Sequence, residues 1–260
     1  MNLNLAKKIA IVTGGASGIG EAIVRGFVAE GTQVVFADRN AERGHALAQK
    51  LGADQQNVRF VEAELQHESD CRTVLDVALS EFGRLDCLVN NAGVNDKVGL
   101  DAGVTAFCNS LFGNAVHYYA LAHLARQALI ESRGSIVNIA SKVAVTGQGG
   151  TSGYAAAKGA ILALTREWAI DFLPHRVRVN AILPAETWTP LYESWVNSFP
   201  EPQKKLRQIT AKIPLGQRMT TAEEIADMVL FLASDRAAHI TGQHLFVDGG
   251  YTHLDRTVTP

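Results

Sequence analysis

The stretch KIAIVTGGASGIGEAIVRGFVAEG, residues 8–31, places an apolar run, a glycine-rich turn and an amphipathic segment in direct succession. The β-branched run predicts a buried strand, and the apolar spacing after Gly20 predicts a helix. Glycines at this junction let backbone N–H groups and the positive helix end approach a phosphate without obstruction by side chains. The stretch predicts the first βα unit of an open α/β sheet with a phosphate-bearing ligand at the turn. A tight turn without a ligand is the alternative.

The alternation of strand and helix continues along the whole chain. Six further short runs predict strands, namely QVVFAD, NVRFVEA, DCLVN, SIVNIAS, RVRVNAIL and HLFVDG. They lack regular polar alternation, as expected when helices cover both faces of a parallel sheet. We predict one α/β domain over residues 1–260, a Rossmann-type doubly wound parallel sheet of about seven strands. Ligands bind such sheets beyond the carboxyl ends of the strands, where the strand order reverses.

Composition excludes several classes of partner. The chain has 260 residues, of which 47% are hydrophobic and 19% charged, and a formal net charge of −2. This balance offers no basic field for nucleic acid or an anionic membrane. With neither a signal-peptide pattern nor a stretch of roughly 20 apolar residues, we expect a cytoplasmic protein. The three cysteines are widely spaced and the histidines scattered, so we expect neither a disulfide framework nor a metal site.

An acidic residue closes the second predicted strand. Asp38 lies eighteen residues after Gly20, where a carboxylate can bind both hydroxyls of an adenosine ribose and repel a 2′-phosphate. Arg39 follows it, and its guanidinium would pair with that phosphate if Asp38 turned away. The position of Asp38 therefore favours NAD over NADP. The alternative interpretation is that Asp38 is a solvated turn residue.

Two further predicted strands end in polar segments. NNAG, residues 90–93, follows the fourth strand, and NIAS ends the fifth at Ser141. Thirteen residues later, Tyr154 and Lys158 stand four apart in YAAAK and share one face of a predicted helix. A neighbouring ammonium favours the phenolate, the form that a tyrosine base needs. The alternatives are a turn cap for Ser141 and close helix packing around the Tyr–Lys pair.

In this order and spacing, TGGASGIG, NNAG, Asn114, Ser141 and YAAAK resemble the short-chain dehydrogenase/reductase family in its single-domain form. The resemblance covers residues 8–250. It implies a nicotinamide-dependent oxidoreductase that acts on a CH–OH group. A homotetramer is expected, as is common in that family.

The resemblance assigns roles to four side chains. Tyr154 is implied to be the general acid/base, while Lys158 lowers its pKa and holds the nicotinamide ribose. Ser141 fixes the reacting oxygen. Asn114 supports a water that relays protons through Lys158, and it is preferred to Asn109 because it lies 27 residues before Ser141, the family spacing.

The resemblance also implies a cofactor site for NAD, with NADP as the alternative. The residues assigned to it are Gly14, Ser17, Gly18, Ile19, Gly20, Asp38, Arg39, Glu64, Leu65, Asn91, Ala92, Gly93, Tyr154, Lys158, Pro184, Thr187 and Thr189. Thr189 matches the family threonine that meets the nicotinamide carboxamide. Where the family has an aspartate beside the adenine, this chain has Glu64 and then Leu65, so that contact is either kept in a longer form or lost. Ala185 replaces a family glycine. His117 replaces another, and either helix packing or function would explain it.

Polar residues expected around the nicotinamide predict a sugar substrate. They are Asn95, Asp96, Lys142, Gln148 and Glu186. A site that hydrogen-bonds hydroxyls rejects analogues lacking them, and Trp188 or Trp195 would cover an apolar sugar face. The substrate residues predicted are Asn95, Ser141, Gln148, Tyr154, Glu186 and Trp188. A surface loop acid is the alternative interpretation of Glu186.

Three stretches, SKVAVTGQGGTSGYAAAKGA, LPAETWTPLYESW and FVDGGYTHLDR, are similar to those of the L-fucose dehydrogenases. This resemblance implies oxidation of an aldose such as L-fucose at C1 to its lactone, with hydride transfer to NAD. A 3-oxoacyl reductase, a 17β-hydroxysteroid-type dehydrogenase and a dinucleotide-binding redox sensor are the alternatives. Residues from about 186 to about 220 break the strand–helix rhythm and are predicted to form a lid over the crevice.

Overall fold

A seven-stranded, entirely parallel sheet runs through the centre of the protein. The computed structural model describes residues 2–52 and 57–254. The strand order is β3-β2-β1-β4-β5-β6-β7, which confirms the predicted doubly wound topology. The strands are β1 (Ile9–Thr13), β2 (Gln33–Asp38), β3 (Val58–Glu62), β4 (Cys87–Asn90), β5 (Ser135–Ile139), β6 (Arg178–Pro184) and β7 (His244–Val247).

Helices connect the strands and cover both faces of the sheet. They are α1 (Gly18–Ala29), α2 (Ala41–Leu51), α3 (Glu68–Phe82), α4 (Val104–Leu111), α5 (His117–Ser132), α6 (Ser152–Phe172), α7 (Pro190–Asn197), α8 (Pro202–Thr210) and α9 (Ala222–Ala233). A π-helical turn, Phe112–Val116, joins α4 to α5 without a break. Within the described residues, no helix combines the length and apolar character needed to cross a bilayer.

The first strand shows why the sequence lacks polar alternation. All five residues of β1 are buried. Ile9 and Ile11 belong to the hydrophobic cluster that contains α3, α5 and α6 residues. Ala10 and Val12 belong to the opposite cluster, built with α1, α2 and α9. Successive side chains of a strand point to opposite faces, so a strand between two helical layers buries apolar side chains on both faces.

The strand order reverses between β1 and β4, and the crevice opens there. Both strands are parallel neighbours, yet β1 also pairs with β2 and β4 with β5. The Thr13 hydroxyl at the end of β1 accepts hydrogen bonds from the backbone N–H groups of Asn91 and Ala92, at 2.9 and 3.0 Å. These bonds fix the NNAG segment beside the glycine turn.

Candidate active site

A cleft with a volume of about 1110 Å³ follows the carboxyl edge of the sheet. All residues that the sequence assigned to the cofactor line it, and so do the four predicted catalytic residues. Among residues 2–52 and 57–254, no group of three or more His, Cys, Asp and Glu side chains is placed to hold a metal ion.

The glycine turn leaves room for a phosphate. Gly14 and Gly18 have φ angles of +63° and +56°, which side chains rarely adopt. A Cβ on Gly20 would lie 1.9 Å from the Gly14 carbonyl oxygen. Ser17 is the N-cap of α1, but its side chain makes no capping hydrogen bond. The first N–H groups of α1 therefore remain for an anion, which fits the pyrophosphate of a dinucleotide.

The adenosine end of the cleft combines one acid with two arginines. The Asp38 carboxylate accepts hydrogen bonds from the backbone N–H groups of Ala16, at 3.1 Å, and Asn40, at 2.9 Å. Arg39 and Arg43 also line this end. The sequence reasoning missed Arg43, although its spacing of four from Arg39 was an available signal. Asp38 is thus held beside the glycine turn, with two arginines lining the same end of the cleft.

The opposite wall carries the predicted relay residue. Asn114 lies in the π-helical turn, a feature found frequently at functional sites. Its side chain accepts from Val94 N–H at 2.8 Å and donates to the Ser110 carbonyl at 3.1 Å. A Cβ on Gly93 would lie 2.9 Å from Asn114 Oδ1 and 3.4 Å from Lys158 Nζ. The glycine keeps the space between the NNAG segment and the lysine open.

The Tyr154–Lys158 pair differs from the expectation. Lys158 Nζ lies 5.6 Å from the Tyr154 ring centroid and donates instead to the Tyr118 hydroxyl, at 3.0 Å, and to the Ile139 carbonyl, at 2.8 Å. Burial raises the pKa of Tyr154 to about 12, against the lowering effect of a Ser141 hydrogen bond. In the protein without a cofactor, desolvation is the largest influence on this phenol, and the role of Lys158 in favouring the phenolate stays a prediction.

Burial also controls the two basic groups beside the tyrosine. It lowers the pKa of Lys158 to about 7. Burial, followed by the charge of Lys158, lowers the pKa of His117 to about 4. Both shifts disfavour the cation, so His117 is neutral near physiological pH and Lys158 titrates there.

The two threonines after β6 differ in their hydrogen bonding. Thr189 accepts a hydrogen bond from Tyr192 N–H at 3.2 Å and is the N-cap of α7. Thr187 lines the cleft, is 5% exposed, and its buried hydroxyl has no hydrogen-bond partner. The Thr187 hydroxyl therefore remains available to a ligand in the cleft, and the assignment of both threonines to the cofactor stays a prediction.

The predicted sugar-binding residues divide into two groups. Asn95, Asp96, Ser141 and Tyr154 line the cleft, whereas the lining does not include Gln148, Lys142, Glu186 and Trp188. Glu186 forms a partly buried ion pair with Lys142 and accepts a hydrogen bond from the Tyr192 hydroxyl at 2.7 Å. The Glu186 carboxylate is therefore paired within the fold, which favours a role at the site over that of a free surface acid. The sequence reasoning missed Tyr192, which lines the cleft beside this pair.

Comparison with known proteins identifies the family. A family model described as enoyl-(acyl carrier protein) reductase matches residues 14–252. The L-fucose dehydrogenase of Mus musculus is 42% identical over 245 residues, which cover 94% of this chain and 88% of the relative. The chain belongs to the short-chain dehydrogenase/reductase family. As such it is an NAD(P)-dependent oxidoreductase that acts on a CH–OH group.

Solved structures of short-chain dehydrogenases/reductases share the fold over the entire chain. The Cj0485 dehydrogenase is 41% identical with a TM-score of 0.94, and each chain is covered completely. The aldohexose dehydrogenase of Thermoplasma acidophilum, in ligand-free form, is 31% identical with a TM-score of 0.89, again over 100% of both chains.

The two threonines of this short-chain dehydrogenase/reductase give a matched pair of variants. Thr187→Val removes a hydroxyl without a partner, so the free energy of unfolding stays the same or rises, while NADH affinity falls about 5- to 10-fold. Thr189→Val removes the α7 N-cap and lowers that free energy by about 1 kcal/mol. Denaturant titration and NADH fluorescence titration of both variants measure these effects. Loss of stability in Thr187→Val with unchanged NADH affinity would contradict the assignment.

Proposed function

We propose that this enzyme oxidises an aldose such as L-fucose at C1 to the lactone, with NAD as the hydride acceptor. The observation that carries the proposal is the polar end of the cleft, where Ser141 and Tyr154 stand beside Asn95 and Asp96. Similarity to an L-fucose dehydrogenase and to an aldohexose dehydrogenase supports the same substrate class.

In this proposal, Ser141 and Tyr154 hold the C1 hydroxyl of the sugar by hydrogen bonds. A nicotinamide dinucleotide held in the cleft would supply the hydride acceptor for the C1 hydrogen and, in its oxidised form, a positive charge beside the phenol. Tyr154 removes the hydroxyl proton, so C1 becomes the lactone carbonyl. Since burial holds the pKa of Tyr154 at about 12, the phenolate needs neighbouring positive charge to form near neutral pH. Lys158 supplies part of that charge, and Asn114 supports the water that returns the proton to solvent through Lys158.

Residues near the Lys142–Glu186 ion pair are proposed to select the other sugar hydroxyls. We infer that Gln148 and Glu186 bind these hydroxyls and that Trp188 covers an apolar face of the sugar. Glu186 is suited to this role because Lys142 and Tyr192 already hold its carboxylate. A held carboxylate loses less conformational entropy when it binds a substrate hydroxyl.

Helix α7 and the outer faces of α5 and α6 support two structural proposals. Leu191, Tyr192 and Ser194 of α7 line the cleft, as expected of a lid that begins near residue 186.

We also infer a homotetramer through the long helices. Large apolar side chains are exposed there at helical spacing, namely Phe112 (51%) and Val116 (41%) on the π-helical turn that continues into α5, together with Ile170 on α6 (65%).

Tyr154→Phe removes the proposed base and keeps the aromatic ring. We expect NADH binding to persist and turnover at saturating cofactor to fall at least about 100-fold, since loss of a general acid/base costs about 10² to 10⁴ in rate. Tyr119→Phe, on the exposed face of α5, is the control and should keep the wild-type rate. Turnover of Tyr154→Phe within a few-fold of wild type would remove this residue from the mechanism.

A substrate panel tests the aldose assignment. L-fucose, L-galactose and D-arabinose should each reduce NAD, because they present the hydroxyl pattern to which a polar site of this kind responds. Formation of NADH is measured by its absorbance, with steroid alcohols and 3-oxoacyl substrates assayed in parallel. If all three sugars fail with both cofactors while a steroid or 3-oxoacyl compound reacts, the assignment is wrong. NADH binding without turnover of any substrate favours the redox-sensor alternative.

The acid at the adenosine end predicts a preference for NAD. Asp38 should bind the ribose hydroxyls of NAD and repel the 2′-phosphate of NADP. Asp38→Ser should therefore raise kcat/KM with NADP relative to NAD by about 10-fold or more. Arg43→Ala is the matched control and should lower only the NADP rate. A clear preference of the wild type for NADP would show that Arg39 and Arg43 outweigh Asp38.

A further inference from the structure

A tyrosine outside the predicted site contacts the buried lysine directly. Lys158 is 2% exposed, and Tyr118 is fully buried at 0%. Lys158 Nζ donates to Tyr118 Oη at 3.0 Å and to the Ile139 carbonyl at 2.8 Å. The Tyr118 hydroxyl donates to the same carbonyl at 3.0 Å. The three groups form a closed triangle beneath the cleft.

The triangle fixes the direction of each hydrogen bond. A backbone carbonyl has two lone pairs, and here one accepts from the tyrosine and the other from the lysine. The Tyr118 proton is therefore used by Ile139, which leaves an oxygen lone pair for the ammonium. Burial keeps Tyr118 neutral by raising its pKa well above its usual value, so it remains an acceptor.

We propose that Tyr118 is a positioning residue that holds the Lys158 ammonium in place and in its charged form from the protein side. An ammonium has three donors, and the triangle uses two of them. One donor remains on the cleft side, where Gly93 keeps space open. This role rests on the proposed function of Lys158 as the group that binds the ribose and favours the Tyr154 phenolate.

The other groups that face Lys158 do not replace Tyr118. His117, from α5, is neutral because burial and the Lys158 charge lower its pKa to about 4. Tyr154, from α6, has its pKa raised to about 12 by burial, and the Asn114 side chain is bonded to backbone groups. No ion pair involves Lys158 in the described parts of the chain. A buried cation without a carboxylate depends on neutral hydrogen-bond acceptors.

Tyr118→Phe tests this dependence without emptying the site. The variant keeps the ring, and Ile139 stays bonded to Lys158, so no buried group loses its last partner. Tyr119→Phe, one residue further along α5, is the matched control because its side chain is 55% exposed. Circular dichroism and thermal unfolding confirm that both variants are folded.

The decisive readout is the titration of Lys158 without cofactor. NMR of ¹³C-lysine-labelled protein follows its side-chain carbon with pH, and the signal is assigned by its absence in Lys158→Met. Because Tyr118 bonds to the charged form, its loss should move the midpoint to lower pH by about one unit, a tenfold loss of proton affinity. Tyr119→Phe should match the wild type. An unchanged or higher midpoint in Tyr118→Phe overturns the proposal.

Turnover gives a second readout that separates positioning from stability. With an aldose that the wild type oxidises, Tyr118→Phe should lower kcat between about 10- and 100-fold, the scale of one hydrogen bond to a charged group. KM for the sugar should change less than about 3-fold. A variant with reduced thermal stability but wild-type kcat and midpoint shows a packing role and refutes the proposal. If no aldose reacts but the midpoint shifts, the proposed substrate fails and the role of Tyr118 stands.

Discussion

A chain of buried hydrogen bonds joins the sheet to the helix that carries the reactive side chains. Asn90 of β4 donates to Asn138 of β5 at 3.0 Å, and Asn138 donates to Thr165 of α6 at 3.0 Å. All three residues are 0% exposed. A buried amide without a partner costs about 1–3 kcal/mol, so this chain favours one placement of α6 against β5. Tyr154 and Lys158 on α6 are thereby held against the segment that contains Ser141.

Desolvation sets the charge state of the site. Burial raises the pKa of Tyr154 to about 12 and lowers that of Lys158 to about 7, so the protein by itself keeps the phenol neutral and leaves the lysine titrating near neutral pH. In the proposed reaction, added positive charge favours ionisation of the phenol. The Glu186 carboxylate, near the same end of the cleft, differs from these two groups because it is held by an ion pair with Lys142 and a hydrogen bond from Tyr192. One end of the site therefore combines a poised phenol with a fixed charge pair.

The fold could be predicted because its signals are local. Apolar runs without alternation, a glycine turn and helical periodicity each extend over a few residues, and their repetition predicted all seven strands. The residues that line the cleft could also be predicted, since parallel strands present the residues after their carboxyl ends at one edge of the sheet. Arg43 was not predicted because it lies on the first turn of α2, beyond the strand end.

The sequence alone therefore determined the doubly wound sheet, the family, and the residues that line the cleft, because spacing along the chain encodes them. Only the tertiary structure decided which polar groups pair. Lys158 meets Tyr118 across 40 residues, and Lys142 meets Glu186 across 44. Thr189 caps α7, whereas the Thr187 hydroxyl has no hydrogen-bond partner. Such pairings depend on the packing of α5, α6 and the segment after β6 on one sheet edge, where desolvation and hydrogen-bond geometry select each partner.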